Sequence, residues 1–227
     1  MAFKALIFDF DGVITDTEPV HMEAWQGVLE PLGIEFGEEE YRAHYIGLND
    51  RDFLDAVGHI HSRYFDDVEK ARLIEVKLVS SMSLLGQDIP LIDGVADFVE
   101  AESKRRLFAI CSGAQRGEIE FILRHLKWAS LFDPVIASDS VKRGKPDAEG
   151  YIRAIEALTE RATDMILPQE MLAIEDSPKG IAAAHAAGIK CLAIQGTFGT
   201  GDISSADWVA LSLADVNIDD LIGLDHY

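Results

Sequence analysis

A chain of 227 residues, 48% of them hydrophobic, suffices for one domain of ordinary size or for a domain carrying a smaller inserted one. Forty acidic against twenty basic residues give a formal net charge of -20, a surface that repels phosphate backbones and anionic lipid headgroups and so excludes nucleic acid and membranes as partners. No basic, apolar leader opens the chain and no apolar run approaches the roughly 20 residues that span a bilayer, which sets the expectation of a cytoplasmic protein. Cys111 and Cys191 lie in apolar stretches without CxxC spacing and read as reduced core thiols, in keeping with that location.

The first strand-length apolar run is FKALIF at 3–8. Between Asp16 and Pro90 the pattern changes to four successive helices: TEPVHMEAWQGVLEPLG, EEEYRAHYIG, DRDFLDAVGHI and DDVEKARLIEVKLVSSMSLLG. Buried-strand patterns then return at 106–111 (RLFAIC), 134–138 (PVIAS), 171–176 (MLAIED) and 190–194 (KCLAI). Amphipathic stretches such as AQRGEIEFILRHLKW and SPKGIAAAHAAG separate them, the latter closing at Gly188 as helices often do. The tail IDDLIGLDHY reads as a last short helix. Alternating strands and helices imply βαβ units, so the expected fold is α/β: a Rossmann-like doubly wound parallel sheet core with an inserted all-helical cap domain. The expected boundaries are 1–15 and 90–227 for the core and 16–89 for the cap.

In open parallel sheets the ligand site lies beyond the carboxyl ends of the strands, and chemistry-bearing residues follow four of the five apolar runs. Asp9, Asp11 and Gly12 follow the first run, Ser112 and Gly113 the second, Gly144, Lys145 and Pro146 the third, and Glu175, Asp176 and Ser177 the fourth. Carboxylates, a hydroxyl and an ammonium converging on one edge suit a phosphoryl group. Mg2+ takes one or two carboxylates plus phosphate and water, which Asp9 and Asp176 can provide. Lys145 and Ser112 would hold phosphate oxygens, with backbone N–H groups of residues 112–114 as an anion-binding turn. Asp9 is the natural nucleophile for an aspartyl phosphate, and Asp11, two residues on along an extended strand, the natural acid and base.

The stretch DFDGVITD resembles the DxDGxxxD signature of the haloacid dehalogenase superfamily of aspartate-nucleophile phosphotransferases, and ICSGA, RGKPD and IEDSPKG resemble its three later motifs in the family's order. The resemblance implies catalytic Asp9 and Asp11, phosphate-binding Ser112, Gly113 and Lys145, and a Mg2+ site of Asp9, Asp11, Glu175 and Asp176. Within that set the Asp11 carbonyl would reach the metal, Asp176 would ligate directly, and Glu175 would ligate or hold a metal-bound water. Asp16 is expected to fix the turn into the cap. The superfamily's dehalogenases lack the second aspartate, so Asp11 argues against that branch.

An all-helical insert after the first motif resembles the branch of phosphoglycolate phosphatases, sugar phosphatases and β-phosphoglucomutase, whose caps close over substrate and supply specificity. In that light His21, Gly47, Arg51, Lys77 and Arg116 are candidate substrate residues. Arg51 follows Gly47 by four residues where the mutase has three, and one residue of slip turns a side chain about 100° around a helix. CSGAQRGEIE also replaces the mutase's serine-rich stretch. His59 and His61 lack a third metal ligand at suitable spacing and read as surface histidines. The expected activity is Mg2+-dependent hydrolysis of a small phosphorylated metabolite, a sugar phosphate or phosphoglycolate-like acid, with phosphosugar mutase as the alternative and a monomer or weak oligomer as the assembly.

Overall fold

The computed structural model describes residues 2–196 and 201–221. Two compact units emerge, Met1–Asp16 with Leu91–Tyr227, and Thr17–Pro90. The first carries strands β1 (Ala5–Phe8), β2 (Leu107–Cys111), β3 (Phe132–Ile136), β4 (Met171–Glu175), β5 (Lys190–Ile194) and β6 (Trp208–Ala210). All neighbouring strands run parallel, in the order β3-β2-β1-β4-β5-β6. This is the doubly wound order, whose crossovers reverse direction beside the first strand and leave a crevice at its carboxyl end.

Numbered in chain order, the helices of the second unit are α1 (Glu18–Leu29), α2 (Glu38–His44), α3 (Asp50–Ile60) and α4 (Asp67–Leu85). Those of the first are α5 (Val95–Glu102), α6 (Arg116–His125), α7 (Glu149–Arg161), α8 (Pro178–Ala186) and α9 (Ile218–Leu221). The last four residues of α9's expected stretch, with Ile222 and Gly223, lie outside the described residues.

The central strands read as unbroken apolar runs because helices cover both faces of the sheet. Every residue of β1 and of β4 is buried. Alternation divides the faces: Ala5 and Ile7 join Tyr151, Ala154 and Leu158 of α7 and Ile181 and Ala184 of α8 in one core. Phe8 points the other way, its ring edge-on to Phe98 of α5, Phe108 and Phe132. Both cysteines are buried and free.

Two strands differ from the sequence expectation. β3 spans Phe132–Ile136, two residues earlier than the run PVIAS, and contains Pro134, which an edge strand tolerates because one side of its ladder is unpaired. β6 was not expected; it has three half-exposed residues on the opposite edge, too short and too little buried to leave a periodic signal.

The second unit is helical throughout its described length, apart from loops. Trp25 and Leu29 of α1, Tyr41 of α2, Phe53, Leu54 and Val57 of α3 and Leu73 of α4 share one core, with Trp25 stacked on Phe53 at 4.5 Å between centroids. Capping fixes two starts: the Asn49 side chain accepts from the N–H groups of Arg51 and Asp52, and Asp66 accepts from that of Glu69.

Candidate active site

Strand register assembles the site. Phe8 pairs with Ile110 of β2 and with Ile174 of β4, so Asp9, Cys111 and Glu175 reach the carboxyl edge together, followed by Ser112 and Asp176. The Asp9 N–H donates to the Ile174 carbonyl at 2.8 Å, extending the alignment one residue past the strand. The chain then turns: the Phe10 carbonyl accepts from Ile14 at 2.8 Å and Thr15 at 3.2 Å, and the Gly12 N–H donates to the Thr15 carbonyl at 2.8 Å. Gly12 sits at φ +78°, and a Cβ there would overlap the Asp176 carboxylate, so the position requires glycine twice over.

β1 ends at Phe8, so Asp11 belongs to the turn and its placement does not follow from strand alternation. It is half-buried and bridges to Thr15. Asp16 is exposed, and backbone pairs close the exit turn: Gly12 with Thr15, Thr15 with Leu91, and the Ile92 N–H with the Ile14 carbonyl at 3.0 Å.

Lys145, from the loop before α7, is the cation of the site. Its Nζ stands 3.0 Å from Asp9 Oδ1 and 2.5 Å from Glu175 Oε1, and its side chain is 15% exposed. Asp9 Oδ1 also accepts from the Phe10 N–H at 2.7 Å. Fully buried Glu175 accepts from the Tyr151 O–H at 2.7 Å and, through Oε2, from the Ser177 O–H at 3.1 Å. Ser177 caps α8 as well, its Oγ accepting from the Gly180 N–H at 3.0 Å.

One carboxylate oxygen each from Asp9, Glu175 and Asp176 lies within 4.8 Å of the other two. One ammonium among three carboxylates leaves uncompensated negative charge in a region shielded from water. Burial, then repulsion from Asp9 and Glu175, pushes the Asp176 carboxyl up to about 8. Glu175 is raised too, by burial first and Asp9 second. Burial opposes the charge on Lys145, and Asp9 and Glu175 outweigh it, so its pKa is raised. An oxygen-rich, electron-rich cluster of this kind fits a hard divalent cation such as Mg2+.

Ser112 lies at the end of β2 with its Oγ accepting from the Ala114 N–H at 3.0 Å, so its own O–H is left to donate. The anion-binding turn expected of residues 112–114 is largely spent internally: the Ser112 N–H donates to the Ile136 carbonyl at 2.9 Å and that of Ala114 to Ser112. Gly113 is exposed. Arg116 serves the sheet edge, donating through Nη2 to the Val135 carbonyl and to Ser140 Oγ, both at 2.8 Å.

The remaining candidates lie in the helical unit. Lys77 is buried with its Nζ 3.2 Å from Asp50 Oδ1. Burial, then the Lys77 charge, pushes the His21 imidazole down to about 3. The Gly47 N–H donates to Glu18 Oε1 at 3.2 Å, and Glu18 Oε2 accepts from the Tyr41 O–H at 2.7 Å. Arg51 reaches out to Asp67 at 3.2 Å. His61 pairs with Glu40 at 2.9 Å, and His59 is exposed.

Sequence reasoning missed Tyr151, which contacts Glu175, and the close approach of α8 at Gly180, where a Cβ would overlap that carboxylate. The apolar face of α7 signalled only that Tyr151 is buried.

A doubly wound sheet whose carboxyl edge gathers a carboxylate trio around one lysine, interrupted after β1 by a helical unit, defines the class as a doubly wound α/β protein with a helical unit inserted after its first strand. The family model for haloacid dehalogenase-like hydrolases matches residues 3–188, and the chain belongs to that family. The phosphorylated carbohydrates phosphatase of Thermotoga maritima is 33% identical over 189 residues, covering 82% of each chain. Fructose-1-phosphate phosphatase YqaB of Escherichia coli is 30% identical over 204 residues, 85% of this chain and 97% of that protein. CbbY from Rhodobacter sphaeroides, crystallised in complex with phosphate, has the same fold at TM-score 0.81 and 24% identity, covering 96% of this chain and 99% of that one. No helix among the described residues is long and apolar enough to cross a membrane.

Proposed function

We propose that this hydrolase is a Mg2+-dependent phosphatase of small phosphorylated carbohydrates that works through an aspartyl phosphate on Asp9. The observation that carries the reading is the placement of Lys145 between Asp9 and Glu175, with Asp176 completing an acidic trio within 4.8 Å. The likeness to two sugar-phosphate phosphatases over most of the chain supports the substrate class.

Lys145 and the free O–H of Ser112 hold nonbridging phosphate oxygens. A carboxylate oxygen of Asp9 attacks phosphorus, the phosphorus–ester oxygen bond breaks, and Asp11 gives its proton to the departing alkoxide. Asp11, now a carboxylate, then takes a proton from water as that water attacks phosphorus; the bond to Asp9 breaks and inorganic phosphate leaves. Asp9, Asp176, the Asp11 carbonyl and Glu175 are the residues that would hold Mg2+, which when bound would neutralise phosphoryl charge.

The test is a panel of sugar 1-phosphates, sugar 6-phosphates and phosphorylated short acids, incubated with Mg2+ or with EDTA and assayed for both free phosphate and isomerised sugar phosphate. The expected result is Mg2+-dependent phosphate release, lost in Asp9→Asn. Isomerisation without release would replace hydrolysis by the mutase reading.

A further inference from the structure

Tyr151 lies in the first turn of α7, six residues beyond Lys145, and is fully buried. Its O–H donates to Glu175 Oε1 at 2.7 Å, the same oxygen that accepts from Lys145 Nζ at 2.5 Å. Lys145 Nζ also stands 5.5 Å from the centroid of the Tyr151 ring, within cation–π range. One side chain therefore touches both members of the ion pair that faces Asp9.

The surroundings leave that pair little freedom. Backbone of α8 at Gly180 closes one side of the Glu175 carboxylate, and Ser177 holds its Oε2 at 3.1 Å. The Tyr151 ring is packed in the apolar cluster with Ile7, Ala109, Ala154 and Ala173. Phenylalanine would fill that apolar space equally well, whereas a buried hydroxyl is tolerated only when bonded.

We propose that Tyr151 is a positioning residue: its hydroxyl pins Glu175, Glu175 holds Lys145, and Lys145 is thereby kept beside Asp9 where the phosphoryl group must sit. Tyr151 acts through Lys145 and does not touch substrate. The kinetic consequence rests on the phosphatase reading; the placement of the Lys145 ammonium does not.

Tyr151→Phe keeps the ring and removes the hydroxyl, and it tests the proposal in two ways. In the first, kcat on the best phosphate ester falls about tenfold, the scale of one lost hydrogen bond to a charged group, while KM stays within about twofold. In a Lys145→Ala background the same change costs less than about twofold, since coupled residues are not additive. A purely structural tyrosine would lower Tm and leave kcat unmoved, or act multiplicatively with Lys145→Ala, and either result overturns the proposal.

In the second, the protein is labelled with 15N-lysine and the Lys145 ammonium resonance is assigned by its loss in Lys145→Ala. The resonance is protected from exchange in the wild type and shifts and broadens in Tyr151→Phe. A resonance absent from the wild type, or unchanged in the variant, overturns the proposal. If the wild type hydrolyses no phosphate ester, the phosphatase reading fails, and the ammonium resonance still decides the role of Tyr151.

Discussion

Each unit of this protein encloses a lysine beside a carboxylate, Lys77 buried and Lys145 partly so, and the two lysines are surrounded differently. Lys77 of the helical unit has one carboxylate partner, Asp50 at 3.2 Å, and the imidazole that feels its charge, His21, is pushed down to about 3 by burial and by that charge. The Lys77 charge is paired there with Asp50, and the histidine stays neutral across the physiological range. Lys145 of the α/β unit faces two carboxylates directly, with Asp176 close enough to complete an acidic trio. That side is over-supplied with negative charge and raises two carboxyl pKa values in consequence. A matched pair mainly holds a fold together, whereas an unmatched cluster stores a demand for a cation.

The largest expected effect tests the unmatched side. Asp9→Asn removes the proposed nucleophile and is expected to lower kcat by roughly 10^4-fold or more. Asp11→Asn, which removes the proposed proton donor and acceptor, should cost about 10^2- to 10^4-fold. Steady-state kinetics on purified variants check both; near-normal turnover of Asp9→Asn would erase the distinction between the units.

Gly180→Ala comes next, because its Cβ would overlap a fully buried carboxylate. A loss of about 2 kcal/mol or more in urea unfolding is expected, with weaker Mg2+ binding by calorimetry.

The carboxyl pKa of Asp176 makes the comparison pH-dependent. Raised to about 8, it gives the metal-free protein a proton that the unfolded chain, near 3.8, releases much earlier. The corresponding stability is fully present below the unfolded value and is lost as pH rises through about 8. The Tm of EDTA-treated protein should therefore fall between about pH 4 and about pH 8, and Mg2+ should raise it more at the alkaline end.

Smallest are the effects in the matched unit. Lys77→Met strands Asp50 and should cost about 1–3 kcal/mol of stability. Arg51→Ala breaks an exposed pair and should cost less than about 0.5 kcal/mol in the same unfolding assay.

What could be read from the chain divides along the same physical lines. Runs such as MLAIE and KCLAI announced central strands because both faces of the sheet are covered, and β6 escaped notice because a three-residue, half-exposed edge carries no pattern. Asp9, Ser112, Lys145, Glu175 and Asp176 stood out as polar residues near the ends of apolar runs, a local signal. Local hydrogen bonding could not be read: the Ala114 N–H returns to Ser112 and the Ser112 N–H to Ile136, so the expected anion turn is mostly used up. Arg116 likewise looked free to meet an anion and is engaged by Val135 and Ser140. The contact of Tyr151 with Glu175 joins residues 24 apart through the docking of α7 and α8 against the sheet, which no spacing rule encodes.

The central claim is that Asp9 carries the phosphoryl group, and the most direct measurement is rapid acid quench of the Mg2+-loaded protein during turnover of its best sugar phosphate, followed by peptide mapping. A phosphoryl group on the peptide containing Asp9, formed and lost at rates that match turnover, is the predicted result. Turnover with no phosphorylated Asp9 at any quench time, persisting in Asp9→Asn, would contradict the account.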